Sequence, residues 1–272
     1  MNLTELMDDV NRTAWRRNVR WFSRLEGWTD PGERVALERV VAEARGQPIL
    51  DLGVGGGRTV PILREISESY VAIDYTPELV RACRAKYPGV DIQDGDARDL
   101  SRFASGTFAL VVFSFNGIDA VSHDDRKLVL REVRRVLRPG GCLVFSTHNK
   151  HGPGHGEGTS FGVNWTRNPL RLSFRILRAI SHIPNTLANR HRLGSVAVEH
   201  PDYSIRNAAA HDHGILVHYI TLASQIAELA DAGFLDQVEA YSSKDGALVA
   251  AGDDTHGIWW FHLLARVPIG HT

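Results

Sequence analysis

Residues 49–60 read ILDLGVGGGRTV: an apolar run interrupted by Asp51, glycine at 53, 55, 56 and 57, then Arg58 and Thr59. Glycines crowded between a buried strand and a helix start let the backbone turn sharply and let a ligand come closer than any Cβ would permit. A dinucleotide is the first ligand to test. Its G-x-G-x-x-G fingerprint, begun at Gly53 and Gly55, needs a third glycine at 58, where this chain has Arg58. Asp51, two residues before the first glycine, would also repel a pyrophosphate over the loop. Nor does the loop run on into the Gly-Lys-Ser/Thr of a P-loop, so no lysine reaches a nucleoside triphosphate. The ligand expected here is not strongly anionic.

From Pro48 outward the pattern is regular. Apolar strands at 49–54, 70–74, 90–93, 108–115 and 142–147 alternate with helical stretches at 59–66, 77–87 and 124–137. Such alternation calls for a parallel sheet covered on both faces. The rhythm breaks after His148 and resumes with a helix over 222–232 and strands at 238–242 and 258–267. Only a turn-rich link joins those two strands, so they should pair as an antiparallel hairpin. The fold expected is α/β: a doubly wound, mostly parallel seven-stranded sheet ending in an antiparallel hairpin, with a helical lid inserted after the fifth strand. The chain divides into an N-terminal helical cap (1–47), a cofactor-binding core (48–148), a lid or acceptor-binding insertion (149–219) and the C-terminal part of the core (220–272). Within the cap, residues 3–25 have helical character and carry Trp15, Trp21 and Phe22 among arginines, and Asp30-Pro31 reads as N-cap and first helical residue.

Four segments combine into a pattern. Asp51-Leu52-Gly53-Val54-Gly55-Gly56-Gly57 reads acid-x-Gly-x-Gly-x-Gly, Asp74 closes the second strand within AIDYTPELV, Gly95-Asp96-Ala97 follows the third, and LREVRRVLRPGGCLVF spans 130–145. Together they resemble the class I S-adenosylmethionine-dependent methyltransferases, in detail over 48–148 and in outline over 220–267. The resemblance implies S-adenosylmethionine as cofactor, with Asp51, Gly53, Gly55, Gly57, Asp74, Tyr75, Asp96, Ala97 and Asn116 around it. Charge agrees with this. The cofactor carries a sulfonium and an ammonium but no phosphate, so Asp51 beneath the loop attracts its cationic end. Asp74 sits where a carboxylate accepts both ribose hydroxyls, and Asp96 where one accepts the adenine amino group.

The acceptor side is written less plainly. Methyl transfer is an in-line displacement, so the protein mainly aligns a nucleophile with the methyl carbon. Methyltransferases acting on nucleic-acid amino groups resemble one another in an Asn/Asp-Pro-Pro-aromatic stretch after the fourth strand; here FSFNGIDAVSHDD has no proline, leaving Asn116, Asp119 and His123 as pocket-edge candidates. His148 directly follows the fifth strand, and His218 and Tyr219 precede the next helix; these three are the catalytic candidates. His211 and His213 would share a face in an extended segment, yet no further Cys, Glu or tight His pair completes a site by spacing, and no metal is expected. The insertion has glycines at 152, 154, 156, 158 and 162 and no acid between 158 and 198. Its stretch NPLRLSFRILRAI, with Asn168 as N-cap, sets Arg167, Arg171, Arg175 and Arg178 at helical spacing, and reads as a lid over the acceptor.

The function expected is S-adenosylmethionine-dependent transfer of a methyl group to an O or N atom of a small molecule, such as a specialised metabolite or modified peptide. The alternatives are an RNA or protein methyltransferase using the arginine-rich insertion, or a non-catalytic S-adenosylmethionine-binding protein. A formal net charge of −1 gives no global attraction to nucleic acid or acidic membranes, and neither is expected as a partner. Cys83 and Cys142 read as reduced core residues, and the first thirty residues hold no leader-like apolar run, so a cytoplasmic location is expected. The sequence says nothing of oligomeric state.

Overall fold

The computed structural model describes residues 2–157, 167–234 and 236–269. Helices α1 (Leu3–Arg17), α2 (Val19–Phe22), α3 (Pro31–Glu38) and α4 (Val41–Ala44) precede the sheet. Strand β1 (Ile49–Leu52), α5 (Val60–Ile66), β2 (Tyr70–Asp74), α6 (Pro77–Lys86), β3 (Asp91–Asp94), β4 (Phe108–Phe113), α7 (His123–Val136) and β5 (Leu137–Asn149) follow in the expected alternation. Then come α8 (Pro169–Gly194), β6 (Val198–Glu199), β7 (Tyr203–Ala208), the single turn α9 (Ala210–His213), β8 (Ile215–Ile220), α10 (Leu222–Asp231), β9 (Asp236–Ser242) and β10 (Trp260–Arg266).

Strands β3-β2-β1-β4-β5 are parallel neighbours in that order, and β10 closes the sheet antiparallel to both β5 and β9. These are the seven expected strands, with the hairpin as foreseen. Among the described residues the sheet nevertheless has ten. The insertion, expected as a helical lid, also supplies β6, β7 and β8: β8 runs parallel to the last two residues of β5, pairing His148 with Tyr219 and Asn149 with Ile220, and β7 and β6 add antiparallel beyond it. The cause is the length of β5, which outruns the strand expected at 142–147 and offers a fresh edge at its end.

Both sheet faces are buried. Ile49 points into a core with Ala36, Leu63 and Val80, while Leu50 and Leu52 point into the other with Val129, Val133 and Leu229. That alternation is the period of a strand covered by helices on either side, and each fully buried leucine contributes about 1.5–3 kcal/mol. Caps fall where the sequence placed them: Asp30 accepts from the Glu33 amide at 2.9 Å and Asn168 from the Arg171 amide at 3.1 Å. Both cysteines are free and buried.

Helix α1 is fastened far from its place in sequence. Met7 and Val10 pack with Leu193, Ile205 and Leu216. Asn11, wholly buried, donates to the carbonyls of Ala120 and Leu216 at 2.8 and 2.9 Å and accepts from the Leu216 amide at 3.0 Å. The N-terminal helices are thereby hung over the C-terminal ends of the parallel strands. By contrast α8, the arginine helix, keeps Leu170, Phe174, Leu177 and Ile180 exposed. Gly158, Gly162 and the Arg178 side chain of the expected lid lie outside the described residues.

Candidate active site

The strand ends and the N-terminal helices enclose a cavity of about 290 Å³. Its floor is the glycine loop. Gly53 and Gly55 have φ of 64° and 56°, values that favour glycine. A Cβ on Gly53 would lie 2.8 Å from the Phe113 ring, whereas one on Gly55 would meet nothing nearer than the Gly53 carbonyl at 3.9 Å, so the space over Gly55 is free for a ligand. Gly57 departs from expectation. It does not line the cavity, and a Cβ there would stand 2.3 Å from the Tyr87 ring and 2.9 Å from Cys83 Sγ; this glycine serves helix packing.

Asp74 at the end of β2 accepts from the amides of Gly55 at 2.9 Å and Thr76 at 2.8 Å, which fixes both oxygens against the cavity. Burial raises its pKa to about 6 against the pull of these donors. Asp51 also lines the cavity and is likewise raised to about 6 by burial; one of its oxygens accepts from Thr59 at 2.5 Å and Tyr70 at 2.7 Å. Tyr75 and Ala97 are wall residues, with the Tyr75 hydroxyl accepting from Trp15 Nε1 at 3.0 Å. Asp96 reaches the cavity, but its carboxylate is gripped by Arg98, which also holds Asp8 and Asp125. Asn116 follows β4 at φ 58°, gives its amide to Ser146 at 2.7 Å, and leaves its Oδ1 buried with no partner.

His148 lines the same cavity. Its Nδ1 is 2.7 Å from Asp119 Oδ2, which also accepts the His148 backbone amide at 2.6 Å. The other Asp119 oxygen accepts from Thr147 at 2.7 Å and pairs with Arg126. A carboxylate held on all sides places the proton on Nδ1 and leaves Nε2 as acceptor, 3.4 Å from the Asn116 amide nitrogen. Arg126 is wholly buried and bonded also to Gln225, and sequence reasoning missed it. Its signal was an arginine in register with Val129, Leu130 and Val133 on the apolar face of α7.

The other two catalytic candidates are not at the cavity. His218 is fully buried beside the stacked rings of Tyr203 and His123, its Nε2 3.2 Å from His123 Nδ1, and burial pushes its pKa far down. Tyr219 lies 5.3 Å from the His148 ring but packs behind it, with Ala14, Ala208, Ile215 and Val217. Alternation along β8 explains the split, since residues 217 and 219 share one face and 218 takes the other. His211 and His213 also part. His213 bonds Asn207 Oδ1 at 2.9 Å, whereas His211 turns into the cavity roof. Among the described residues no group of three or more His, Cys, Asp or Glu side chains could hold a metal.

That roof was not foreseen. Trp15, Trp21 and Phe22 from α1 and α2 interlock edge to face, with ring centroids 4.9 to 5.5 Å apart, and His211 meets Trp15 at 5.4 Å and Trp21 at 5.7 Å. Gly56 lets the roof descend, because a Cβ there would lie 2.5 Å from the Phe22 backbone.

The donor set suits S-adenosylmethionine. Carboxylates line the wall for a diol and a cationic end, Asn116 Oδ1 waits for a donor, and among the described lining residues the one Arg or Lys side chain, Arg58, is tied to Glu33 by two bonds of 2.7 Å. A phosphate would find no free cation.

Residues 49–141 match a family model described as a methyltransferase domain. A probable S-adenosylmethionine-dependent methyltransferase of Mycolicibacterium smegmatis is 28% identical over 64% of this chain and 64% of its own length. The matched stretch is a methyltransferase domain, in agreement with the resemblance to the class I S-adenosylmethionine-dependent methyltransferases. A demethylmenaquinone methyltransferase of Clavibacter sepedonicus is 37% identical over 53% of this chain and 58% of its own. The chain thus spans less than two thirds of the curated relatives it matches. Among solved structures, the 1,6-didemethyltoxoflavin-N1-methyltransferase of Burkholderia thailandensis superposes with a TM-score of 0.58 at 13% identity, covering 98% of this chain and 92% of that one, a likeness of fold. S-adenosylmethionine is this family's cofactor.

Proposed function

We propose that this methyltransferase acts on an O–H or N–H group of a small molecule, with His148 as general base and Asp119 as the residue that positions it. The observation carrying this is that the His148–Asp119 pair opens onto the same cavity as the glycine loop and Asp74. When bound, S-adenosylmethionine supplies a methyl whose bond to sulfur breaks, the pair staying on sulfur, as the acceptor atom bonds to carbon. The residues do the rest. Asp74 holds the ribose diol, and the floor at Gly55 admits the cofactor's amino-acid portion against the protein backbone. His148 Nε2, free of the proton that Nδ1 shares with Asp119, takes the acceptor's proton. The roof of α1 and α2 excludes water from the sulfonium.

A small acceptor is supported by the limited volume of the cavity, about 290 Å³, and by the relative named for demethylmenaquinone. Among its described residues, the arginine helix, which an RNA or protein acceptor would use, contributes no lining residue. Radiolabelled S-adenosylmethionine offered with pools of small molecules, peptides and RNA separates these classes. His148→Gln should lower kcat by about 10²–10⁴ while S-adenosylhomocysteine binds as before. Full activity in that variant would remove His148 as base.

A further inference from the structure

We propose that the acceptor is an uncharged planar aromatic bearing a hydroxyl, held among Trp15, Trp21, Phe22, Phe115, His211 and Trp260; this rests on the methyl-transfer reading of the same cavity. All six rings line it. Phe115 sits 6.2 Å from Trp21, so the roof continues without a gap from the N-terminal helices to the end of β4. Trp260 stands 6.3 Å from the His148 ring, which places an aromatic face beside the base as well. Rings arranged at steep angles leave flat slots that a planar guest fills with offset or edge contacts.

Charge narrows the class. The Arg58 guanidinium lies 5.2 Å over the Phe115 ring and 5.9 Å over Trp28, a cation already seated on the faces that an ammonium acceptor would use. The same guanidinium is committed to Glu33, and the wall also carries the carboxyl groups of Asp51, Asp74 and Asp119, which disfavour a carboxylate. His211 is lowered in pKa by burial and stays neutral, able to donate to or accept from a polar substituent on the guest.

The backbone singles out the same residues. Among the described residues, the non-glycine positions with positive φ are Phe115, Asn116, His211, Asp212 and His213, and Phe115, Asn116 and His211 line the cavity. Strain of this kind persists where the surroundings impose it, and it aims both rings inward.

The test uses one ring in three charge states. With the full chain saturated by S-adenosylhomocysteine, calorimetry compares 2-naphthol, 2-naphthoate, 2-naphthylmethylammonium and, as a non-planar control, cyclohexanol. We expect 2-naphthol to bind at least tenfold tighter than the other three. Trp21→Ala and Phe115→Leu should each weaken it at least fivefold and leave S-adenosylhomocysteine affinity within twofold. Preference for naphthoate or the ammonium overturns the charge argument, and equal binding of cyclohexanol overturns the aromatic one. If S-adenosylhomocysteine binds and no naphthyl probe does, the acceptor class fails alone. If S-adenosylhomocysteine does not bind, the methyl-transfer reading fails and this inference with it.

Discussion

The floor and the roof of the cavity are built on opposite principles. The floor is backbone: a glycine loop with φ of 64° and 56°, amides aimed at Asp74, and a carboxylate at each of two strand ends. The roof is side chains, brought from residues 15–22, from Phe115 and from His211 by contacts that span most of the chain. A backbone site needs particular residue types at fixed spacing, because only glycine tolerates those dihedrals, and so it marks the sequence. A side-chain site can be assembled from ordinary aromatics anywhere that packing permits, and leaves no comparable mark.

The largest expected effect tests the floor. Gly55→Val puts branched methyls into the open space above the loop at φ 56°. The strain costs about 1–3 kcal/mol of stability, which the margin of a typical domain tolerates. Affinity for S-adenosylhomocysteine should fall by at least about 100-fold, ~2.7 kcal/mol, with far-UV circular dichroism unchanged. Wild-type affinity would mean that the loop only packs, as Gly57 does, and would dissolve the contrast between floor and roof.

Legibility followed the same division. Strands 49–52, 70–74 and 108–113, the closing hairpin and the Asp30 and Asn168 caps were all readable because each is encoded within a few residues. Strands β6 to β8 were not. Their apolar partners, Met7 and Val10, come from the opposite end of the chain, and Pro201 and the turn at Ala210–His213 interrupt any local period. Gly57 shows the limit of a motif, since its glycine is required by Tyr87 and Cys83 rather than by the ligand. His218 and Tyr219 were expected at the site from chain position, yet neither lines the cavity, because sidedness along β8 depends on a register that nothing local sets.

A smaller effect, with a definite sign, concerns Asp74. Its pKa in the free protein is raised to about 6 by burial, above an unfolded value of about 3.9. Protonation is therefore favoured by folding, and the stability that Asp74 contributes on this account is present at low pH and lost as pH rises from about 4 through 6. Cofactor binding has the opposite sign, because the ribose hydroxyls need the ionised carboxylate. Affinity should weaken by about tenfold per unit as pH falls below 6. Asp74→Asn should lose about 1.5–3 kcal/mol of affinity at neutral pH and with it the pH step. A step that survives in the variant would assign the titration to Asp51, which is raised to the same value.

The smallest expected effect sharpens the definition of the roof. By sequence the arginine helix was the leading lid, since it leaves the sheet at the end of β5 and carries no acid. In the fold its Arg171 and Arg175 are exposed, no described α8 residue lines the cavity, and the segment's contribution comes instead from Ala210, His211 and Ile215–Val217. Exposed charges change stability or binding by no more than about 0.5 kcal/mol when nothing pairs them to a ligand. Changing Arg171 and Arg175 together to Gln should therefore leave the acceptor KM and the S-adenosylhomocysteine Kd within about twofold of wild type. A rise in KM alone would place α8 over the acceptor during turnover, and hydrogen exchange across 167–194 with and without both ligands would then show new protection there. Unchanged kinetics with unchanged exchange would confine the roof to the aromatic residues, and leave the apolar and arginine-bearing faces of α8 to a role outside the reaction.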